Sequence, residues 1–152
     1  ILPLIWLEMP EVELWIVGRN PNPELLRLDD DRTHQTREVA DVRPYYGRST
    51  LCVVPLRAGG GARLKILEAM ALGRAVISTT IGCEGQSLVD GEHLLTADQP
   101  AEFAAQTLRL LRDHELRRAI VAKARQAVAA QYDWDLIANR LMAIYTEAAS
   151  CP

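Results

Sequence analysis

Short apolar runs closed by turn residues alternate along this chain with segments of helical spacing. Residues 12–17 (VELWIV) form a brief run with β-branched side chains, closed by Gly18, and predict a buried strand. Prolines and asparagines then make a turn, and Pro23 opens a short helix at Glu24. Residues 29–37 are polar and the least structured, with a weak strand expected over 35–39. Asp41 is the expected N-cap of a short helix running through Tyr46. Residues 51–55 (LCVVP) give the clearest strand, continuous in apolar residues as a strand covered on both faces should be.

Beyond Pro55 the pattern changes. Residues 57–63 (RAGGGAR) form a glycine-rich loop, 64–72 (LKILEAMAL) combine helix formers with helical spacing, and Gly73 ends that helix. Residues 75–78 (AVIS) are another buried strand, and a loop with Gly82, Gly85 and Gly91 leads to a strand around 93–96. From Pro100 the chain reads as helical, with helices opened by Pro100 and Glu102, by Asp113 and by Asp133. Strands alternating with helices indicate an α/β fold, a Rossmann-like parallel sheet flanked by helices with a helical C-terminal segment. The leading stretch ILPLIWLEMP lacks a basic region and a cleavage site, so it is read as the tail of a helix whose beginning is absent. On that reading the chain is truncated at its N-terminus and leaves an uncovered or disordered sheet edge near residues 1–11.

Composition narrows the class without naming it. The 152 residues are 49% hydrophobic and 24% charged, which suits one globular domain and excludes a disordered chain or a coiled coil. A net charge of −3 argues against nucleic acid as the main partner. Cys52, Cys83 and Cys151 cannot all pair within the chain and form no CxxC, which favours a reducing, cytoplasmic setting.

In a parallel sheet, ligands bind beyond the carboxyl ends of the strands. The glycine loop lies there. Gly59, Gly60 and Gly61 allow a sharp turn and close approach of backbone to a ligand, and the following helix offers unpaired N–H groups to an anion. Arg57, Arg63 and Lys65 add positive charge, although solvation alone would also account for them. The loop is neither a Walker A loop, lacking GK[ST], nor a GxGxxG fingerprint, since Arg63 and Leu64 occupy the later positions. On a helical wheel Leu64, Leu67 and Ala71 are expected to face the sheet, with Glu68 at the edge of that stripe, partly withdrawn from water. Lys65 at i, i+3 would satisfy that carboxylate; a ribose diol beside a phosphate site would satisfy it too.

These residues resemble a known family. VVPLRAGGGARLKILEAMALGRAVIST strongly resembles the donor-binding segment of retaining glycosyltransferases of family four, which have the two-domain GT-B architecture. Support comes from residues 12–18, from DVRPYY at 41–46, from the loop 83–91 ending in an acidic-Gly turn, and from YDW at 132–134. The resemblance implies that residues 1–152 are a C-terminal domain binding a nucleotide-diphosphate sugar donor, with the acceptor site mostly on a missing N-terminal domain. It implies that Glu68 contacts the ribose and that the backbone over Gly60, Gly61, Ala62, Arg63 and Leu64 contacts the diphosphate and sugar. The family's first glutamate, eight positions before Glu68, is replaced here by Gly60, so the sugar cannot be read from that pair. Arg63 or Lys65 is expected to neutralise the diphosphate, with no metal or other cofactor. Gly18 and Arg19 are candidate nucleotide contacts.

Other residues read as structural. His34, His93 and His114 are too dispersed for a ligand set. Ser78, Thr79, Thr80 and Gly82 serve equally as cleft lining or as turn and cap residues. Trp15 and Trp134 are expected in the core, and Cys52 as a buried small hydrophobe. Arg109, Arg112, Arg117, Arg118, Lys123 and Arg125 are mixed with acids and expected on solvated faces, with peripheral membrane contact the alternative. The reading is a glycosyltransferase donor domain; the alternative is a sugar-nucleotide-binding or interaction module without catalysis, which the loss of the first glutamate keeps open.

Overall fold

The computed structural model describes residues 1–18, 31–36 and 38–149. In chain order the elements are α1 (Leu2–Glu8), β1 (Leu14–Ile16), β2 (Thr33–Gln35), α2 (Arg43–Arg48), β3 (Leu51–Val54) and α3 (Leu64–Ala71). They continue with β4 (Ala75–Ser78), a 3-10 turn (Ile81–Cys83), β5 (Leu95–Thr96), α4 (Pro100–Arg112), α5 (His114–Tyr132) and α6 (Trp134–Ala149). The α/β reading holds: every strand pair is parallel. The strands form two sheets, β1–β2 and β3–β4–β5, where one was expected. Short apolar runs announce strands, but ladder pairing between distant runs leaves no local mark on the sequence. The weak strand expected at 35–39 lies at Thr33–Gln35 instead, in register with β1, and the helix expected at Glu24 falls outside the described residues.

The core fills both faces of β4. Val54, Ile66, Ala69, Met70, Val76, Leu94 and Ala124 pack on one side; Ala75, Ile77, Leu95, Phe103, Leu110 and Ile120 pack on the other. Alternate residues of β4 supply both, as the period of a strand requires. Helix α5 reaches both clusters through Ile120 and Ala124. Helix α1 packs on α4 through Ile5, against Ala104 and Leu108, while β1 after it pairs only with β2 among the described residues.

Helix boundaries follow from local chemistry. Asp113 closes α4 and caps α5, its carboxylate accepting from the Leu116 N–H at 2.8 Å. Arg117 donates to the free carbonyls of Leu110 at 2.6 Å and Leu111 at 3.1 Å. At the end of α3, the Gly73 N–H bonds Met70 O and the Arg74 N–H bonds Ala69 O, a Schellman ending that Gly73 permits at φ 72°. Asp41 accepts from the Arg43 N–H at 2.9 Å, one residue outside the α2 N-cap, Val42.

Two expected core residues stand outside it. Trp15 is 49% exposed and Trp134 81% exposed. Trp15 lies on the outer face of β1, half covered by His34 with ring centroids 4.5 Å apart. Trp134 opens α6, a helix without a buried residue.

Candidate functional site

Two loops meet at the carboxyl end of the larger sheet: the glycine loop after β3 and the turn after β4. Their junction is tightly bonded beneath. Ser78 is fully buried and donates to Thr79 O at 2.9 Å; the Thr79 hydroxyl donates to Leu56 O and accepts from the Gly82 N–H at 3.0 Å. A Cβ on Gly82 would sit 2.3 Å from Ser78 Oγ and 2.9 Å from Val54 O, so only glycine fits there. Thr80 bonds Asp98 through its N–H and its hydroxyl, each at 2.8 Å, and these bonds hold the Asp98 carboxyl below its usual range. Ser78, Thr79, Thr80 and Gly82 therefore build the scaffold of the loop, the second of the two roles open to them.

Above this scaffold the backbone is unusually free. From residue 57 to residue 65, no backbone N–H donates to an acceptor among the described residues; the first that does is Ile66, to Arg63 O at 3.0 Å. Nearly all of this stretch is exposed. It runs directly into the N-terminus of α3, where the helix dipole adds positive potential. Gly59 (φ 144°) and Gly61 (φ 93°) take backbone shapes that side chains resist. Gly60 does not, and a Cβ there would meet nothing within 4 Å.

The expected stripe of α3 is rotated. Ile66, Ala69 and Met70 are buried, against β3, β4 and α5, whereas Leu64 is 61% exposed and Ala71 is exposed. The inward face of the helix begins at Ile66 and not at Leu64. In consequence Glu68 is exposed, not withdrawn at a stripe edge, and Lys65 is exposed beside it. The two carry no ion pair or side-chain hydrogen bond among the described residues, so the i, i+3 bond between them is not formed. Arg57 is likewise exposed and unpartnered there.

Arg63 behaves differently. It is buried, 9% exposed, and its guanidinium donates to Gly59 O at 2.7 Å, Gly60 O at 2.9 Å and Ile81 O at 3.2 Å. Gln86 donates from the other side to Ala62 O at 3.1 Å and Arg63 O at 3.3 Å. Gln86 was not among the expected site residues; it sits in a loop whose visible signal was glycine alone. Below the loop, Tyr46 donates to Lys65 O at 3.3 Å, and burial holds its phenol well above the usual range. Burial also pushes the half-covered Cys52 thiol up to about 11. Tyr46 and Cys52 are thus uncharged at pH 7, the Arg63 cation is turned inward, and Arg57, Lys65 and Glu68 are exposed to solvent.

Gly18 is exposed in the bend after β1, in the other sheet, and Arg19 lies outside the described residues. The histidines stay apart: His34 bonds Glu13 at 3.1 Å, His93 accepts from the Val89 N–H at 3.0 Å and His114 lies 2.9 Å from Arg117. Among the described residues no three His, Cys, Asp or Glu side chains gather as a metal centre would need, and no helix is long and apolar enough to cross a membrane.

Comparison with known proteins agrees with this architecture. The phosphatidyl-myo-inositol mannosyltransferase of Mycolicibacterium smegmatis is 29% identical over 151 residues, covering 95% of this chain and 39% of that protein. Among solved structures, a sucrose-phosphate synthase from Thermosynechococcus elongatus superposes with a TM-score of 0.82 at 24% identity, over 99% of this chain and 42% of that one. TarM from S. aureus, crystallised with UDP, has a TM-score of 0.79 at 17% identity over 93% of this chain and 30% of its own. These structural likenesses concern the fold, and the chain spans about two fifths of the mannosyltransferase's length. A family model described as glycosyl transferases group 1 matches residues 1–113, which take in the whole glycine loop and α3. With that match across most of its length, and parallel strands leading into the loop and helix, the chain belongs to the glycosyl transferases group 1 family.

Proposed function

We propose that this chain is the donor-binding half of a glycosyltransferase, which moves a sugar from a nucleotide-diphosphate sugar to an acceptor with retention of configuration. The observation that carries the reading is the run of backbone N–H groups over residues 57–65, without protein acceptors, at the head of α3. Amides so placed suit a diphosphate, both bound and as the leaving group on which charge develops. Lys65 and Arg57 add charge to that side. Glu68, one turn into α3 and unpartnered among the described residues, is assigned to the ribose hydroxyls. No metal is assigned a role; a chelator should leave nucleotide binding unchanged. Gly18 and Arg19 remain candidate nucleotide contacts. A separate domain supplies the acceptor site. A mannosyl donor and an inositol-lipid acceptor at a membrane surface are the substrates to try first, given the mannosyltransferase relative.

The test is titration with UDP and GDP while following thermal unfolding. A nucleotide at a hundredfold excess over its Kd should add about 2.7 kcal/mol of stability. Glu68→Ala and Lys65→Ala should each weaken the binding; if neither does, the residue assignment is wrong. No shift with either nucleotide at millimolar concentration removes the donor site. Gly60, standing where the family has a glutamate, supports a second reading, a binding module without catalysis. Transfer by the full-length protein, abolished in Glu68→Gln, separates the two.

A further inference from the structure

Resting on the donor-site reading above, we infer that Arg63 and Gln86 are positioning residues: they aim the amides of the glycine loop by gripping its carbonyls. Arg63 is the one non-glycine residue at positive φ (51°) among the described residues, and its side chain folds back on the loop before it. Between them, Arg63 and Gln86 occupy the carbonyls of Gly59, Gly60, Ala62 and Arg63. Every described peptide is trans, and in a trans peptide the C=O and the next N–H point in opposite directions. Pinning those carbonyls to the two side chains therefore turns the amides of Gly60, Gly61, Arg63 and Leu64 away from the grip. All four lack protein acceptors among the described residues. A carbonyl oxygen swung outward would repel a phosphate; here the oxygens are held on the protein side.

The grip also joins the two loops. Ile81 O and the Gln86 side chain belong to the segment after β4, so the glycine loop is anchored to its neighbour as well as to itself. One planar guanidinium serves three carbonyls, a geometry that a lysine ammonium does not reproduce. The positive charge of Arg63 thus acts inward, and neutralising the diphosphate falls to Lys65 and Arg57.

The experiment is titration of the chain and of R63K, R63G and Q86A with UDP and GDP by calorimetry, with the unliganded melting temperature recorded for each. R63K keeps the charge but loses the fork, and should bind at least about tenfold more weakly. R63G suits the positive φ, should lose as much, and should regain binding in millimolar guanidinium. R63K within about twofold of the unmodified chain overturns the inference and leaves the donor site standing. So does R63G binding normally without guanidinium. Should the Arg63 variants fail to fold, Q86A decides: about three- to tenfold weaker binding supports the grip, and unchanged affinity overturns it. If the unmodified chain binds neither nucleotide, the donor reading falls and this one with it.

Discussion

Gly60 alone of the three loop glycines combines open space with an ordinary backbone. Its backbone lies outside the left-handed region and nothing occupies the space where a Cβ would go, while Gly59 would press a Cβ to 3.1 Å from Arg63 Nη1. Gly60→Glu should therefore fold normally, with stability within about 0.5 kcal/mol of the unmodified chain. It should also tighten binding of a nucleotide sugar relative to the bare nucleotide, since the space at that position is open to an added carboxylate. Gly82 is the opposite case. The contacts at 2.3 Å and 2.9 Å include a backbone carbonyl that cannot move aside, so Gly82→Ala should cost about 1–3 kcal/mol in denaturant unfolding. An alanine tolerated there would mean that the turn after β4 is looser than its hydrogen bonds imply.

Helix α3 was legible in its ends but not in its orientation. The Gly73 stop, the helix formers and the strand at Ala75–Ser78 could all be read directly, because each depends on residues adjacent in sequence. Which face of α3 turns inward depends on how the loop delivers its first turn, and that loop ends in a left-handed Arg63. The same limit hid the destination of the Arg63 side chain: sequence marks a cation, not the carbonyls it turns back to meet. The rotation is testable. Ile66→Ala should cost about 2–5 kcal/mol, as a buried aliphatic does when a cavity is left. Leu64→Ala, at an exposed position, should change stability by less than about 0.5 kcal/mol. Equal losses at both would restore the unrotated wheel.

Across the whole molecule, burial concentrates around β4 and thins toward both ends of the chain. Ala75, Val76, Ile77 and Ser78 are all fully covered, β3 and β5 only in part, and α6 buries nothing. The apolar run at 75–78 foretold that coverage, but the division of the strands between two sheets it did not. Trp15 and Trp134 show why composition misleads here. Large aromatic residues suggest a core, yet among the described residues no further layer covers either of them.

The unbonded amides of residues 57–65 have a consequence measurable without any substrate turnover. Backbone hydrogens with no protein acceptor trade readily with deuterium from solvent, whereas those within α3 exchange only when the helix opens. A peptide covering residues 57–65 should thus label within the earliest time points of a hydrogen-exchange experiment, and the stretch that follows should lag far behind. Saturation with the cognate nucleotide should erase that contrast by slowing the loop alone. Uniform labelling of the two stretches in the unliganded chain would contradict the loop geometry itself.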